Sequence, residues 1–127
     1  MNRPARLALI LCLLAASAIP NDMQAAASPP VVHKVGAVTW NARKYASQQV
    51  TVRGYVLAID AGYVLFSDEP TGAISAHDLP VTGPGVDQMA LKGKYTLQGR
   101  FVAGGLTASN GNPYHLELTS PPQPSAP

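Results

Sequence analysis

The stretch that decides the fold covers residues 50–68 and reads VTVRGYVLAIDAGYVLFSD. Its β-branched and aromatic residues lie on both sides of Asp60-Ala61-Gly62, a sequence typical of a tight turn. The stretch therefore predicts two β-strands joined as a hairpin, over residues 49–59 and 63–67. Gly54 interrupts the first strand, and a glycine inside a strand is typical of a bulge or bend, which a small barrel needs in order to close.

The β pattern continues through the second half of the chain. Three more strands are predicted, at residues 73–76 with an extension toward Val81 as the alternative, at residues 94–103 and at residues 114–119. Gly99 lies near the middle of the longest of these strands. Two long strands with central glycines favour a curved barrel over a flat sandwich. We predict an all-β fold, a five-stranded Greek-key barrel, to which residues 31–38 add a weak strand and residues 39–47 a short N-terminal helix or turn.

The first 27 residues have the pattern of a secretory signal peptide. Arg3 and Arg6 precede an apolar run over residues 7–16, which is shorter than the roughly 20 residues that cross a bilayer. Small residues allow cleavage after Ala27, which we prefer, or after Ala18; a retained membrane anchor is the alternative. We expect residues 1–27 to be removed, residues 31–120 to form one domain, and the proline-rich residues 121–127 to form a disordered tail.

Cysteine content and charge narrow the classes of function. Cys12 is the only cysteine and lies in the apolar run, so a cleaved chain would contain no thiol and no disulfide. Removal of the signal would also leave seven basic and six acidic side chains, because Arg3, Arg6 and Asp22 would be lost from the nine and seven of the full chain. A net charge of +1 gives no strong long-range steering toward polyanions. We expect a periplasmic or secreted protein.

The order of these segments resembles the exported bacterial OB-fold proteins, which include a small periplasmic OB-fold family and tRNA-anticodon-binding-like domains. The resemblance rests on Val50-Thr-Val-Arg-Gly54, Gly62-Tyr-Val-Leu-Phe-Ser-Asp68, Gly72-Ala-Ile74 and Tyr95-Thr-Leu-Gln-Gly99-Arg-Phe-Val102. It spans residues 31–120, although residues 78–85 match no motif of these proteins and charged residues are sparse on the expected face. It implies an OB-fold and an exported binding module, and it transfers no catalytic residue.

Ligands of OB-folds usually bind on the face of strands 2 and 3, between the loop joining strands 1 and 2 and the loop joining strands 4 and 5. In this chain the first loop is minimal, whereas the second, residues 104–113, is long and polar. We therefore predict a ligand site built from Arg53, Tyr55, Phe66, His77, Arg100, Asn110 and Asn112. Strand alternation supports an outward Arg53 and Tyr55, because the neighbouring valines form the better core face.

The predicted function is non-catalytic recognition of a small ligand, a glycan or an envelope protein, without a cofactor. The alternative is single-stranded nucleic acid, which needs aromatic platforms beside cations. We expect neither Arg53 with Tyr55 nor Arg100 with Phe101 to form such a platform, because neighbours in a strand face opposite sides. A third possibility is a cation held by His77 and acidic loop residues. No nucleophile elbow or phosphate loop is present in the sequence.

We expect two acidic residues, Asp68 and Glu117, to make contacts within the fold rather than to bind a ligand. Asp68 precedes Pro70 and Gly72, and we expect its carboxylate to bond the backbone of its own turn. Glu117 lies two residues after His115, so we expect these side chains to be neighbours on the outward face of the last strand. The three histidines have no spacing that predicts a metal site.

Overall fold

The computed structural model of the protein describes residues 31–126. The predicted signal peptide lies outside these residues. The described chain forms seven strands, two short α-helices and one 3₁₀ turn, in this order: β1 Val32–Lys34, α1 Val35–Thr39, α2 Ala42–Tyr45, β2 Gln49–Asp60, β3 Tyr63–Ser67, β4 Leu79–Thr82, the 3₁₀ turn Val86–Gln88, β5 Lys94–Ala103, β6 Tyr114–Leu118 and β7 Gln123–Pro124.

Five of the strands close into a barrel. The antiparallel pairs are β2–β3, β3–β4, β5–β6 and β2–β5, and the parallel pair β4–β6 completes the ring. This is the arrangement of an OB-fold, so the predicted all-β, five-stranded barrel is confirmed. The predicted hairpin and the long strand at residues 94–103 are present within one residue of the expected bounds.

The barrel interior is filled by aliphatic and phenylalanine side chains. Phe66 and Phe101 are its largest fully buried members, and valines and leucines from all five barrel strands surround them. In β2 the residues Val50, Val52 and Val56 are buried whereas Arg53 is exposed, as alternation predicts. Burial of these side chains is the main stabilising contribution to the fold.

The two central glycines lie where neighbouring strands approach each other closely. A Cβ atom on Gly54 would overlap the carbonyl oxygen of Ser67 in β3, and one on Gly99 would overlap the carbonyl oxygen of Glu117 in β6. Only glycine leaves room for the main chain of the next strand at these two positions. The bulge that Gly54 was expected to mark is not at this residue, because the register of the β2–β3 pair shifts between Val56 and Ala58. The close approach of the strands is what requires a glycine here.

The third strand differs from the prediction. Residues 73–76 do not pair, and β4 is Leu79–Thr82 instead. Local hydrogen bonds explain the difference, because the amide of Ser75 donates to the Asp78 carboxylate (2.8 Å) and the amide of Asp78 donates to the Ser75 carbonyl (3.1 Å). These bonds form a turn and remove the amides that a strand would need.

Asp68 joins the barrel to the N-terminal helix rather than bonding its own turn. Its two carboxylate oxygens accept hydrogen bonds from the amides of Val35 (2.7 Å) and Gly36 (2.9 Å), at the start of α1. A carboxylate suits this place because the first amides of a helix have no partner within the helix. The contact explains why the helix begins at Val35, before the predicted residues 39–47, and it fixes β1 beside β2.

Residues 121–126 are not the unpacked tail that the sequence predicts. β7 pairs with the first half of β5, with Thr96 opposite Gln123, and the Ser125 amide donates to the Lys94 carbonyl (2.9 Å). The physical reason lies in β6, which pairs only with the second half of β5, from Gly99 onward. The first half would otherwise leave an open edge, and the C-terminal residues cover it.

Candidate functional site

The face on which OB-folds usually bind ligands is covered in this protein by its own loop. Residues 104–113, here called the covering loop, place Leu106 and Ala108 against Tyr63 and Leu65 of β3. Leu65 is only 1% exposed although it points away from the barrel core. The covering loop thus forms a second, smaller apolar cluster where a ligand would otherwise contact the strands.

Hydrogen bonds hold the covering loop to the β2–β3 turn. The amide of Ser109 donates to the Tyr63 hydroxyl (2.8 Å), which donates to the carboxylate of Asp60 (2.9 Å). The amide of Ala61, together with the Tyr63 hydroxyl and Ser109, holds the pKa of the Asp60 carboxyl below its ordinary value, because each stabilises the ionised form. The β2–β3 turn and the covering loop are therefore joined by hydrogen bonds that lead to the Asp60 carboxylate.

Asn110 and Asn112 are structural residues of the covering loop. The side-chain amide of Asn110 donates to the carbonyls of Ser75 (2.8 Å) and Asp78 (2.9 Å), and that of Asn112 also donates to Asp78 (3.0 Å). The Asn112 side-chain oxygen accepts from the amide of Tyr114 (2.9 Å). Their placement in a ligand site is thus corrected, because their polar groups serve contacts within the fold.

Three other predicted site residues do not come together. Phe66 is fully buried between β2 and β4, so its placement in the site is wrong: it belongs to the core. His77 stacks on Trp40, with ring centroids 3.5 Å apart. Arg100 is exposed on β5, six residues or about 20 Å along the strand from Lys94.

Arg53 and Tyr55, in contrast, line one open cleft. The cationic cleft, as we call it, has a volume of about 430 Å³ and is lined by Val32, His33, Lys34, Arg53, Gly54, Tyr55, Asp68, Glu69 and Lys94. Strand register produces this arrangement, because Lys34 lies beside Arg53 and Tyr55 lies opposite Lys94. The prediction from strand alternation that Arg53 and Tyr55 both face outward is therefore correct. The argument against a shared platform, which treated them as neighbours on opposite sides, is wrong, since residues two apart in a strand share a face.

The cations of this cleft have no carboxylate partners within the described residues. Between residues 31 and 126 the structure contains one contact of a basic side chain with a carboxylate, His115 Nε2 with Glu117 Oε2 (3.0 Å), and it lies on β6. Asp68 lies in the cleft, but both of its oxygens are taken by backbone amides. Glu69 also lines the cleft and makes no ion pair within residues 31–126, so the lining carries three cations and two carboxylates, a net charge of +1. Lys34, Arg53 and Lys94 make no contact with either carboxylate and are available to an anion that enters the cleft.

A chain of hydroxyl groups orients Arg53. Its Nε donates to the Thr96 hydroxyl (3.1 Å), and the Thr96 and Ser125 hydroxyls form a hydrogen bond of 2.8 Å. Within residues 31–126 the two terminal NH₂ groups of this guanidinium have no hydrogen-bond partner. A guanidinium held by Nε with both NH₂ groups available can bind a carboxylate, sulfate or phosphate through two bonds.

Tyr55 and Lys94 form the remaining wall. The ammonium group of Lys94 lies 5.6 Å from the centroid of the Tyr55 ring, close enough for a cation–π contact. Sequence reasoning identified Tyr55 but missed Lys34 and Lys94. Lys34 lies within the predicted weak strand at residues 31–38 and Lys94 begins the predicted strand at residues 94–103, but only the pairing of β1 and β5 with β2 shows that they meet Arg53.

His115 and Glu117 are neighbours, as expected, but the histidine is not outward. Its side chain is 4% exposed, and the covering loop passes over it at Gly105. Between residues 31 and 126, no three His, Cys, Asp or Glu side chains are close enough to hold a metal ion. In the same part of the chain no helix has the length and apolar character required to cross a membrane.

The fold has counterparts among solved structures, but sequence comparison finds no relative. An aspartyl-tRNA synthetase described from Leishmania major superposes with a TM-score of 0.52 at 10% identity, over 80% of this chain and 22% of the synthetase chain. An OBody bound to hen egg-white lysozyme gives 0.51 at 19% identity, over 79% of this chain and 100% of the OBody. A second OBody bound to lysozyme gives 0.52. No family model and no curated protein matches the sequence. At such identities these likenesses show the fold alone.

Proposed function

We propose that this protein is a non-catalytic binding module that holds an anionic group of its ligand in the cationic cleft. The carrying observation is the convergence of Lys34, Arg53 and Lys94 without a carboxylate partner among the described residues. Asp68 and Glu69 also line the cleft, so its net charge is +1, and the attraction for an anion comes from the three cations, which no carboxylate between residues 31 and 126 contacts. The solved neighbours support a binding role: one OBody of this fold is bound to lysozyme, and the synthetase is named for a tRNA.

The fixed orientation of the Arg53 guanidinium favours binding of a discrete anionic group over loose attraction to a positive surface. Its guanidinium is oriented through Thr96, so little side-chain freedom is lost when a ligand binds. The cleft is also open to solvent, whereas the usual OB face lies under the covering loop. The ligand group that fits is planar or tetrahedral and oxygen-bearing, such as a carboxylate, a sulfate or a phosphate.

Charge removal in the cleft should abolish anion binding. We expect tripolyphosphate, measured by isothermal titration calorimetry at low salt, to bind the protein and to lose at least about tenfold in affinity in the double variant Arg53→Gln/Lys94→Gln, because hydrogen bonds to charged groups are lost. The matched control is Arg43→Gln/Lys44→Gln, which removes the same charge from exposed positions on α2. Equal losses in the two variants would contradict the proposed site.

We also propose that the module acts in the bacterial envelope, after export and cleavage. The support is the charged, apolar and small-residue pattern of residues 1–27. The N-terminal residue of the protein purified from its host should be Ser28, or Ile19 if cleavage follows Ala18. A mature chain that still begins at Met1 would contradict export by cleavage.

A further inference from the structure

We propose that the ligand of the cationic cleft is an acidic polysaccharide that lies across β1, β2, β5 and β7. This inference rests on the proposed function and adds the class of ligand to it. Its basis is the shape of the surface, the spacing of its charges and the kind of aromatic contact that the surface offers.

The cationic cleft continues beyond its own walls. A second hollow shares Arg53 and Lys94 with it and extends to Thr96, Pro124, Ser125 and Ala126. Together the two hollows form a groove across four neighbouring strands, from β1 to β7. At about 4.8 Å between strands the groove spans roughly 14 Å, more than one anionic group can occupy.

The charges of the groove are distributed one to a strand. Lys34 lies on β1, Arg53 on β2 and Lys94 on β5, and the hydroxyls of Thr96 and Ser125 follow at the β7 end. The carboxylates of the groove, Asp68 and Glu69, line the first hollow only, and neither contacts a cation of the groove. The separate cations therefore remain available to match separate anions along one elongated molecule. The Ser125 hydroxyl at the far end suits the hydroxyls of a sugar, because its bond to Thr96 leaves it further hydrogen-bonding positions.

The aromatic side chains of the groove do not suit single-stranded nucleic acid. Such a ligand needs successive rings on which bases stack. The groove contains only one such ring from the described residues, Tyr55, and Lys94 lies over it. His33 is packed edge-on against Tyr45, and the exposed Trp40 stacks on His77 and does not line the groove. A polyanion whose rings need no stacking partner therefore fits better than one that carries bases.

The test compares oligosaccharides of increasing length by fluorescence anisotropy at physiological salt. Heparin-derived disaccharide, tetrasaccharide and octasaccharide are the acidic probes, and a maltose-type octasaccharide is the neutral one. We expect at least about a tenfold gain in affinity from disaccharide to octasaccharide, since more charges engage more of the groove, and no binding of the neutral chain.

A variant at the β7 end of the groove tests whether the longer oligosaccharides reach that end. Ala126→Glu should weaken octasaccharide binding by about fivefold, since it opposes a ligand anion there, and leave tripolyphosphate binding unchanged, because Ala126 takes no part in the hydroxyl chain that orients Arg53. Thr107→Glu on the exposed part of the covering loop adds the same charge away from the groove and should change neither.

The outcomes separate the inference from the proposed function. Tripolyphosphate binding with no gain along the octasaccharide series would overturn the inference and leave the anion site in place. An oligonucleotide that binds about fivefold or more tightly than an abasic strand of equal charge would identify nucleic acid instead, because bases would then contribute by stacking. Failure of every anionic probe would overturn both proposals.

Discussion

Phe66→Ala is expected to destabilise the protein by about 3–5 kcal/mol, the usual cost of removing a buried phenyl ring. The ring is 0% exposed and lies between Val56 of β2 and Leu79 of β4, so a cavity would form inside the barrel. In a domain of this size each kcal/mol lowers the melting temperature by about 4–8 °C. Thermal unfolding followed by circular dichroism measures the effect.

Leu91→Ala is the matched control for this prediction. It also removes a large apolar side chain, but Leu91 is 54% exposed. We expect it to change the free energy of unfolding by no more than about 0.5 kcal/mol, as is usual at the surface. A stable Phe66→Ala protein that has lost ligand binding would contradict the core assignment and restore Phe66 to the site.

Gly54→Ala is expected to cost about 3 kcal/mol or more, at the upper end for an inserted methyl group. The new carbon would overlap the Ser67 carbonyl oxygen and approach Val35 Cγ2 to 2.9 Å and Phe66 Cε2 to 3.2 Å. The main chain of β3 would have to move, because a carbonyl oxygen cannot rotate aside as a side chain can. Urea unfolding measures the loss.

Gly62→Ala separates crowding from backbone strain. Gly62 has a φ of +84° and no neighbouring atom within 4 Å of the added carbon. Its substitution should therefore cost only the strain of the left-handed conformation, about 1–2 kcal/mol. If Gly54→Ala were no more destabilising than Gly62→Ala, the close approach of β2 and β3 would not be what requires a glycine.

The barrel could be predicted because its signals are local. Val, Tyr and Thr alternation identified β2, β3, β5 and β6, and Gly54 and Gly99 indicated the curvature. The third strand was misplaced for a local reason as well. Residues 73–76 contain nothing that forbids a strand, whereas Pro80 weakens the signal of β4, which the prediction reached only as an extension toward Val81.

The site could not be predicted in the same way, because it depends on pairing between distant segments. Lys34, Arg53 and Lys94 meet only through the register of β1 and β5 on β2. The cover over the usual OB face depends on Leu106 and Ala108, two small or medium apolar residues in a polar loop. Those two residues were the available signal that the loop turns inward, and its Gly, Ser and Asn content obscured it.

The most direct test of the binding site is a two-dimensional ¹H–¹⁵N NMR titration of the protein with tripolyphosphate. The proposed function predicts that the largest shift changes belong to the amides of Lys34, Arg53, Tyr55 and Lys94, with little change at Ser109 and Asn110 of the covering loop. Changes concentrated in the covering loop and β3, with the cationic cleft unaffected, would contradict it and return the site to the usual OB face.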